Sequence, residues 1–301
     1  MTTSQMRRIS KGLNLRPPRM PWVLRALRYD VSGMIGLFIV AAAVMCALFA
    51  PWLAPHPDQG RGVPNILAKL QPPGAHYLLG TDEMGRDILS RIIFAARPSL
   101  LMALAVVAIG VIVGVPIGAV AGYFGGWLDE ALMRVTDIFL AFTPLLLAIF
   151  LASALGPGTG SAVVALGVSW WPWYARLARA QAASLRSRPF VEAAQVIGVR
   201  SPTILRRHII PNLTSPVIVQ ATLDLSSVIL VASGLSFLGL GVQPPTADWG
   251  VMVSDGRTYF LGFPWYAAFP GLAIIIVSIG FVLLGDGLRR AFDVKPTEIV
   301  L

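Results

Sequence analysis

Charge is scarce in this 301-residue chain: 13% of its residues are Asp, Glu, Lys or Arg, against roughly 25% in a soluble globular domain. Mean hydropathy is +0.71. Together these values exclude a soluble enzyme of ordinary design, a disordered chain and a fibrous repeat, and leave a polytopic membrane protein. Cysteine is nearly absent. The single thiol, Cys46, sits in an apolar run, so no intrachain disulfide and no cysteine metal cluster can form, and it reads as a small core hydrophobe. No G-x-x-x-x-G-K-[ST] loop occurs, and no lysine follows a glycine, so the chain has no phosphate cradle of its own. It also lacks an H-E-x-x-H pair and a G-x-S-x-G elbow, and its three histidines (His56, His76, His208) are scattered. Nothing nominates catalysis or a metal site.

What is present is a series of uncharged stretches. A bilayer core of about 30 Å needs roughly 20 apolar residues in helix. Val31–Leu53 supplies span 1, behind a basic tail too long for a cleaved leader, and Pro98–Leu128 supplies span 2. The uncharged run Ile138–Ala175 is too long for one crossing. Gly156-Pro157-Gly158-Thr159-Gly160 divides it into spans 3 and 4, and Trp170, Trp171, Trp173 and Tyr174 read as an interfacial aromatic belt ending span 4. Pro216 to about Leu240 is span 5 and Tyr266–Gly285 is span 6. The expected fold is therefore an all-α membrane protein of six transmembrane helices.

Six spans place both ends on one side. Eighteen basic residues fall there (Arg7, Arg8, Lys11, Arg16, Arg19, Arg25 and Arg28 in the tail, Arg134, seven from Arg176 to Arg207, then Arg289, Arg290 and Lys295), and six fall opposite. Cytoplasmic loops carry the Lys/Arg excess, so both termini are expected in the cytoplasm. This asymmetry, and not nucleic-acid binding, accounts for the net charge of +9. The expected organisation is a basic cytoplasmic tail (1–30), a first span with an extracytoplasmic segment (31–97), a five-span core (98–290) and a short cytoplasmic tail (291–301).

The connection between spans 4 and 5, about 186–212, reads as a helix–turn–helix outside the membrane. Glu192 follows Pro189 in a first turn, where a carboxylate suits the positive end of the helix dipole. Ala193 and Ala194 favour helix, and Gly198 is a natural C-terminal stop. Ser201-Pro202 reads as an N-cap followed by proline at the first helical position, and Arg206, Arg207 and His208 fill a last turn closed by Pro211. Physically this is either a docking element for a partner's cleft or a basic loop that only sets orientation.

Glu192-Ala193-Ala194, Gly198 six residues after the glutamate and Pro211 thirteen after the glycine resemble the EAA loop of bacterial ABC importer permeases. Five further stretches resemble the second permease subunit of dipeptide, oligopeptide and nickel importers. They are Leu79–Arg91 (LGTDEMGRDILSR), Ala121–Gly126 (AGYFGG), Leu235–Pro245 (LSFLGLGVQPP), Trp249-Gly250 and Gly285–Arg289 (GDGLR). The likeness covers about residues 25–296. His208 and Ile210 depart from the general pattern, and Phe142-Thr143-Pro144 stands where the family commonly has Phe-Pro in span 3.

The resemblance implies a type I ABC importer permease-like bundle in a bacterial inner membrane, forming half of a translocation pathway for di- or oligopeptides. A nickel or other small-solute importer is the alternative. It implies a homologous second permease, two ATPase subunits (or a homodimer of one) that carry ATP and Mg, and an extracytoplasmic substrate-binding protein. No cofactor is implied on this chain. Glu192, Ala193, Ala194, Gly198 and Pro211, with Arg200 and Arg206 in support, are implied as the ATPase-coupling surface.

Two other features invite roles. Gly110, Gly114, Gly118 and Gly122 form a stripe of small residues that suits close helix packing in span 2. Asp224 is the ionisable residue deep in a span, where a charge costs roughly 2.5–3.5 kcal/mol on insertion scales. With Ser227 it marks the translocation pathway, or it makes a structural hydrogen bond to Ser226, Ser227 or a partner. Thr81–Ile93 reads as a capped amphipathic helix on the far side, lying along the membrane or meeting the binding protein. A self-contained carrier would need paired ionisable groups and internal repeats, which are not evident. A membrane-embedded hydrolase would need a nucleophile–base constellation, and none can be named.

Overall fold

A computed structural model describes residues 30–293. The basic residues expected in the N-terminal tail, from Arg7 to Arg28, and Lys295 lie outside the described residues. Nine helices carry the described architecture, beside short helical turns at Pro57–Gly60 and Ile66–Ala68. They are α1 (Val31–Leu53), α2 (Ile88–Phe124), α3 (Gly126–Leu140), α4 (Pro144–Leu155), α5 (Thr159–Arg186), α6 (Pro189–Val196), α7 (Ser201–Phe237), α8 (Trp249–Arg257) and α9 (Trp265–Asp293). The all-α expectation holds among them. Backbone polar groups have no water partner in hydrocarbon, so the helix, which satisfies them internally, is the form these apolar runs take.

α1, α2, α7 and α9 are each long and apolar enough to cross a bilayer, and α3 with α4 forms a further pair bent by 82°. α5 is 28 residues long but more polar, and it completes the bundle. Span 3 is thus two helices meeting at a bend, and not the single helix expected from the sequence. Pro144 opens α4 without an amide hydrogen to offer α3, and it pushes Thr143 into extended backbone (φ −62°, ψ 129°). α4 alone covers about 18 Å, less than the hydrocarbon core.

Span 4 also differs from expectation. Its helix does not end at an interfacial belt. Trp170, Trp171 and Tyr174 are buried, and α5 continues twelve residues beyond Tyr174. The face bearing Tyr174 meets α2, and Trp171 packs edge-on against Phe139 of α3 at 5.3 Å between ring centres. Farther along, Arg176 reaches Asp137 of α3 at 2.6 Å, and Arg179 grips Asp129 through two bonds of 2.6 and 2.7 Å. The run Ala175–Arg186, rich in Ala, Leu and Arg, favours helix by itself, and the pairs lie along it.

The far-side helix expected over Thr81–Ile93 does not form as a unit. Asp82 accepts hydrogen bonds from the amides of Met84 (2.9 Å) and Arg86 (2.8 Å), and Gly85 takes φ +73°. These contacts make a tight turn whose ends pair at Thr81 and Asp87. Asp87 then caps α2 by accepting from the Ser90 amide at 2.9 Å, so α2 begins ten residues before the uncharged stretch.

Candidate functional site

The segment between α5 and α7 folds as two helices around one turn. Pro189 starts α6 with Glu192 in its first turn. Gly198 ends it at φ +78°: its amide donates to Gln195 O (3.0 Å), and that of Val199 donates to Ala194 O (3.0 Å). This pair of bonds is the Schellman arrangement, which needs a residue tolerant of left-handed backbone at the glycine position. Val191 and Ala194 are buried and anchor α6, while Glu192, Ala193, Gln195, Val196, Ile197 and Gly198 are exposed. Val196 and Ile197 are 86% and 78% exposed, and a β-carbon on Gly198 would meet nothing within 4 Å. The result is a bare apolar tip on a seated helix.

The second half departs from the sequence reading. Arg200, not Ser201, occupies the N-cap position, and its side chain makes no capping bond. Pro211 does not close a helix. A π-helical turn, Leu205–Ile209, feeds straight into the spanning part of α7, and Pro211 stands in the first turn of that part. Proline lacks the amide that such a turn leaves unused, so its presence starts the span without breaking it. Ile204 and Ile209 are buried, whereas Arg200, Arg206 and Pro211 are exposed. The loop is therefore continuous with α7 on one side, and on the other only the short link 187–188 separates α6 from α5.

Within the bundle, Gly110, Gly114, Gly118 and Gly122 all face α5. A β-carbon at any of them would fall under 3.0 Å from Tyr174, Trp171, Ala175 or Arg179, and at the last three glycines it would strike α5 backbone. Asp224, half-buried on α7, accepts a hydrogen bond from Gln220 Nε2 at 3.0 Å, not from Ser226 or Ser227. Its Oδ2 and the hydroxyl of Tyr174 are both buried and meet each other across the α5–α7 contact, with no further partner for either. Ser227 is exposed.

Two polar clusters were not anticipated as units. Asp82 is fully buried with Arg86 (2.6 Å) and Arg91 (3.2 Å), and Arg86 also reaches Glu83, which accepts from the Tyr266 hydroxyl of α9. Asp248, also fully buried, caps α8 through the amides of Gly250 (3.0 Å) and Val251 (3.2 Å) and accepts from Ser99 Oγ of α2 (2.8 Å). The sequence carried a usable signal for the second, an aspartate directly before Trp249-Gly250. The first lay hidden in what read as helix.

Comparison with known proteins bears on this architecture. A family described as the binding-protein-dependent transport system inner membrane component matches residues 114–297, and the N-terminal transmembrane domain of oligopeptide transport permease C matches residues 21–73. The chain is 40% identical over 288 residues to the probable D,D-dipeptide transport system permease protein of Escherichia coli (strain K12), covering 96% of this chain and 95% of that one. It is 43% identical over 277 residues to a di/tripeptide transport system permease of Pseudomonas aeruginosa (strain UCBPP-PA14), covering 90% of each. It is 39% identical over 262 residues to the nickel transport system permease of Escherichia coli (strain K12), covering 87% of this chain and 94% of that one. A methionine ABC transporter solved in inward-facing conformations shares the fold, with a TM-score of 0.53 at 19% identity over 67% of this chain and 97% of that one. The chain belongs to the family of inner-membrane permease components of binding-protein-dependent ABC importers.

Proposed function

We propose that this permease is the second permease subunit of an importer of di- or oligopeptides, set in a bacterial inner membrane with both termini cytoplasmic. Residues 98–290 are its core and 31–97 an added first span with an extracytoplasmic segment. In this reading a homologous permease completes the pathway, a binding protein delivers substrate from outside, and two ATPase subunits bind ATP and Mg. α6 is the element an ATPase grips, through Glu192, Ala193 and Gly198 at its exposed surface, with Arg200 and Arg206 flanking and Ala194 seating it against the bundle.

The observation that carries this is the tip of α6, where exposed apolar side chains stand on a helix whose other face is buried and whose ends lead into two long helices. Apolar surface left bare on an anchored element outside the membrane is costly unless a partner covers it. Movement of α6 would pass directly into α5 and α7.

Gly198→Asp tests it. The position is open, so the substitution does not disturb internal packing, but it strains the left-handed backbone by about 1–2 kcal/mol and sets a charge on the docking face. The expected outcome is normal insertion, ATP hydrolysis retained or raised, and uptake of labelled dipeptide reduced at least about tenfold, an energetic loss near 1.4 kcal/mol. Normal uptake would overturn it. The nickel permease among the relatives favours a second reading. Uptake of a labelled dipeptide undiminished by excess nickel, with no nickel accumulation, separates the two.

A further inference from the structure

A cavity of about 510 Å³ lies between α5, α7 and α9 at the end of the bundle that carries α6. Gln181 of α5, Ser215 of α7 and Arg289 of α9 stand in its wall toward that end, and Leu177, Val219 and Leu223 line it farther in. Gln220, the polar residue of the inner part, turns its amide to Asp224 at 3.0 Å. Among the described residues no acidic side chain lines the cavity. Arg289 is exposed and has no acidic partner among them, whereas Arg290 beside it is bonded to Asp30.

The Asp30–Arg290 pair fixes the depth of this cavity. α1 has 23 residues, about 34 Å, so nearly all of it is needed to cross a hydrocarbon core of about 30 Å. Asp30, directly before α1, therefore lies at a headgroup boundary, and Arg290 and its neighbour Arg289 lie at the same level. Leu223 is level with Gly285, whose β-carbon would strike it, four residues and about 6 Å farther in. The cavity thus runs from headgroup level into the hydrocarbon, polar at its mouth and mostly apolar beyond.

Arg289 also borders the face of α9 that exposes Leu272, Ile275, Ile279 and Val282 at helical spacing. An exposed stripe of purely apolar residues on a spanning helix suits acyl chains, and it sets Arg289 on the lipid side. The cytoplasmic leaflet is negatively charged, and basic pockets between spans on that side hold anionic headgroups. A zwitterionic headgroup would leave its ammonium without a counterion in this cavity. A net-negative one leaves no charge unpaired.

We infer that this cavity holds one anionic phospholipid of the inner leaflet. Its phosphate lies on Arg289 with Gln181 and Ser215, and the start of an acyl chain lies against Leu177, Val219 and Leu223. The inference rests on the orientation proposed above, with both termini cytoplasmic. The lipid touches α5 and α7, the two helices that α6 joins.

Native mass spectrometry of the purified complex of both permeases and the ATPases tests it, with phosphatidylglycerol or phosphatidylethanolamine of matched chains titrated in detergent. One phosphatidylglycerol should bind about tenfold more tightly than phosphatidylethanolamine, and Arg289→Gln should abolish that preference by weakening its binding about tenfold. Arg134→Gln, which removes an exposed cation elsewhere on the cytoplasmic side, should change it less than about twofold. Arg289 is exposed, so its variant should keep the wild-type thermal midpoint and report on binding alone. Equal binding of the two lipids, or equal losses for the two arginine variants, would overturn the site. Phosphatidylglycerol bound to the isolated permease but absent from the complex would also overturn it, making this face a contact between subunits. Labelling separates the site from the orientation. In a Cys46→Ser background, Arg134→Cys should react with a membrane-impermeant maleimide in inverted vesicles and not in spheroplasts. Reaction in spheroplasts alone removes the orientation, whereas the expected labelling without lipid selectivity removes the site alone.

Discussion

At the scale of the residue, the glycines of α2 show how a single hydrogen in place of a methyl sets a helix contact. At Gly118 an added β-carbon would strike the carbonyl of Ala175, which is backbone and cannot move alone. At Gly110 it would clash with the ring of Tyr174, a side chain, and come no closer than 3.8 Å to α5 backbone. Overpacking costs typically 1–3 kcal/mol. Gly118→Ala is therefore expected to lose about 2 kcal/mol in a denaturant titration in detergent, and Gly110→Ala about 1 kcal/mol or less. Equal losses would mean that α2 and α5 are not held at this distance.

Asp30 makes a second residue-scale case. Its bonds to Arg290 (3.0 and 2.5 Å) hold its carboxyl below the usual aspartate range, tying the start of α1 to the end of α9. A depressed carboxylate contributes stability above its unfolded value, and that contribution fades as pH falls through the lowered folded value. The stability gap between wild type and Asp30→Asn should thus stay constant from about pH 5 to 8 and close below about pH 4. A gap that opens on acidification would contradict the assignment.

At the scale of the element, the turn before α2 is held by charge in a place where water is excluded. Removing one partner from a buried ion pair costs about 3–5 kcal/mol, whereas an exposed pair is worth about 0–1 kcal/mol. Asp82→Leu, which strands Arg86 and Arg91, should therefore destabilise the chain by several kcal/mol. Glu130→Gln, which breaks a pair with both side chains largely exposed, should be nearly silent. Comparable effects would show that the Asp82 cluster is solvated.

This cluster also shows where the sequence was legible and where it was not. The limits of α1, the Gly156–Gly158 break, the start of α6 at Pro189 and its stop at Gly198 all follow from local chemistry, meaning hydropathy, proline and left-handed backbone. The bend before Pro144 and the turn around Asp82 rest on local chemistry as well, a proline and an aspartate that accepts from nearby amides, whereas the polar contacts between helices depend on partners distant in the chain. Arg179 finds Asp129 fifty residues away, and Ser99 finds Asp248 a hundred and forty-nine away. Such pairings leave no local trace. The segment around α6 was readable because its spacing is local. The neighbour of Asp224 was not, because Tyr174 comes from another helix and stood in what read as an aromatic belt.

At the scale of the whole molecule, α5, α6 and α7 form one mechanical path. A short exposed helix joins two long ones, and those two enclose the polar groups at Tyr174 and Asp224. If α6 is the proposed coupling element, a push on it is passed to α5 and α7, while α1 is held to α9 by the close approach of Gly36 to the backbone at Leu284.

The single native thiol makes the most direct test practicable. In a Cys46→Ser background, Ala193→Cys, Val196→Cys and Ala194→Cys are compared with a thiol-to-amine crosslinker in native membranes. The account predicts that the exposed positions 193 and 196 crosslink to an ATPase subunit and that the buried position 194 does not. Uptake that persists without an ATPase, with no crosslink from either exposed position, would contradict it.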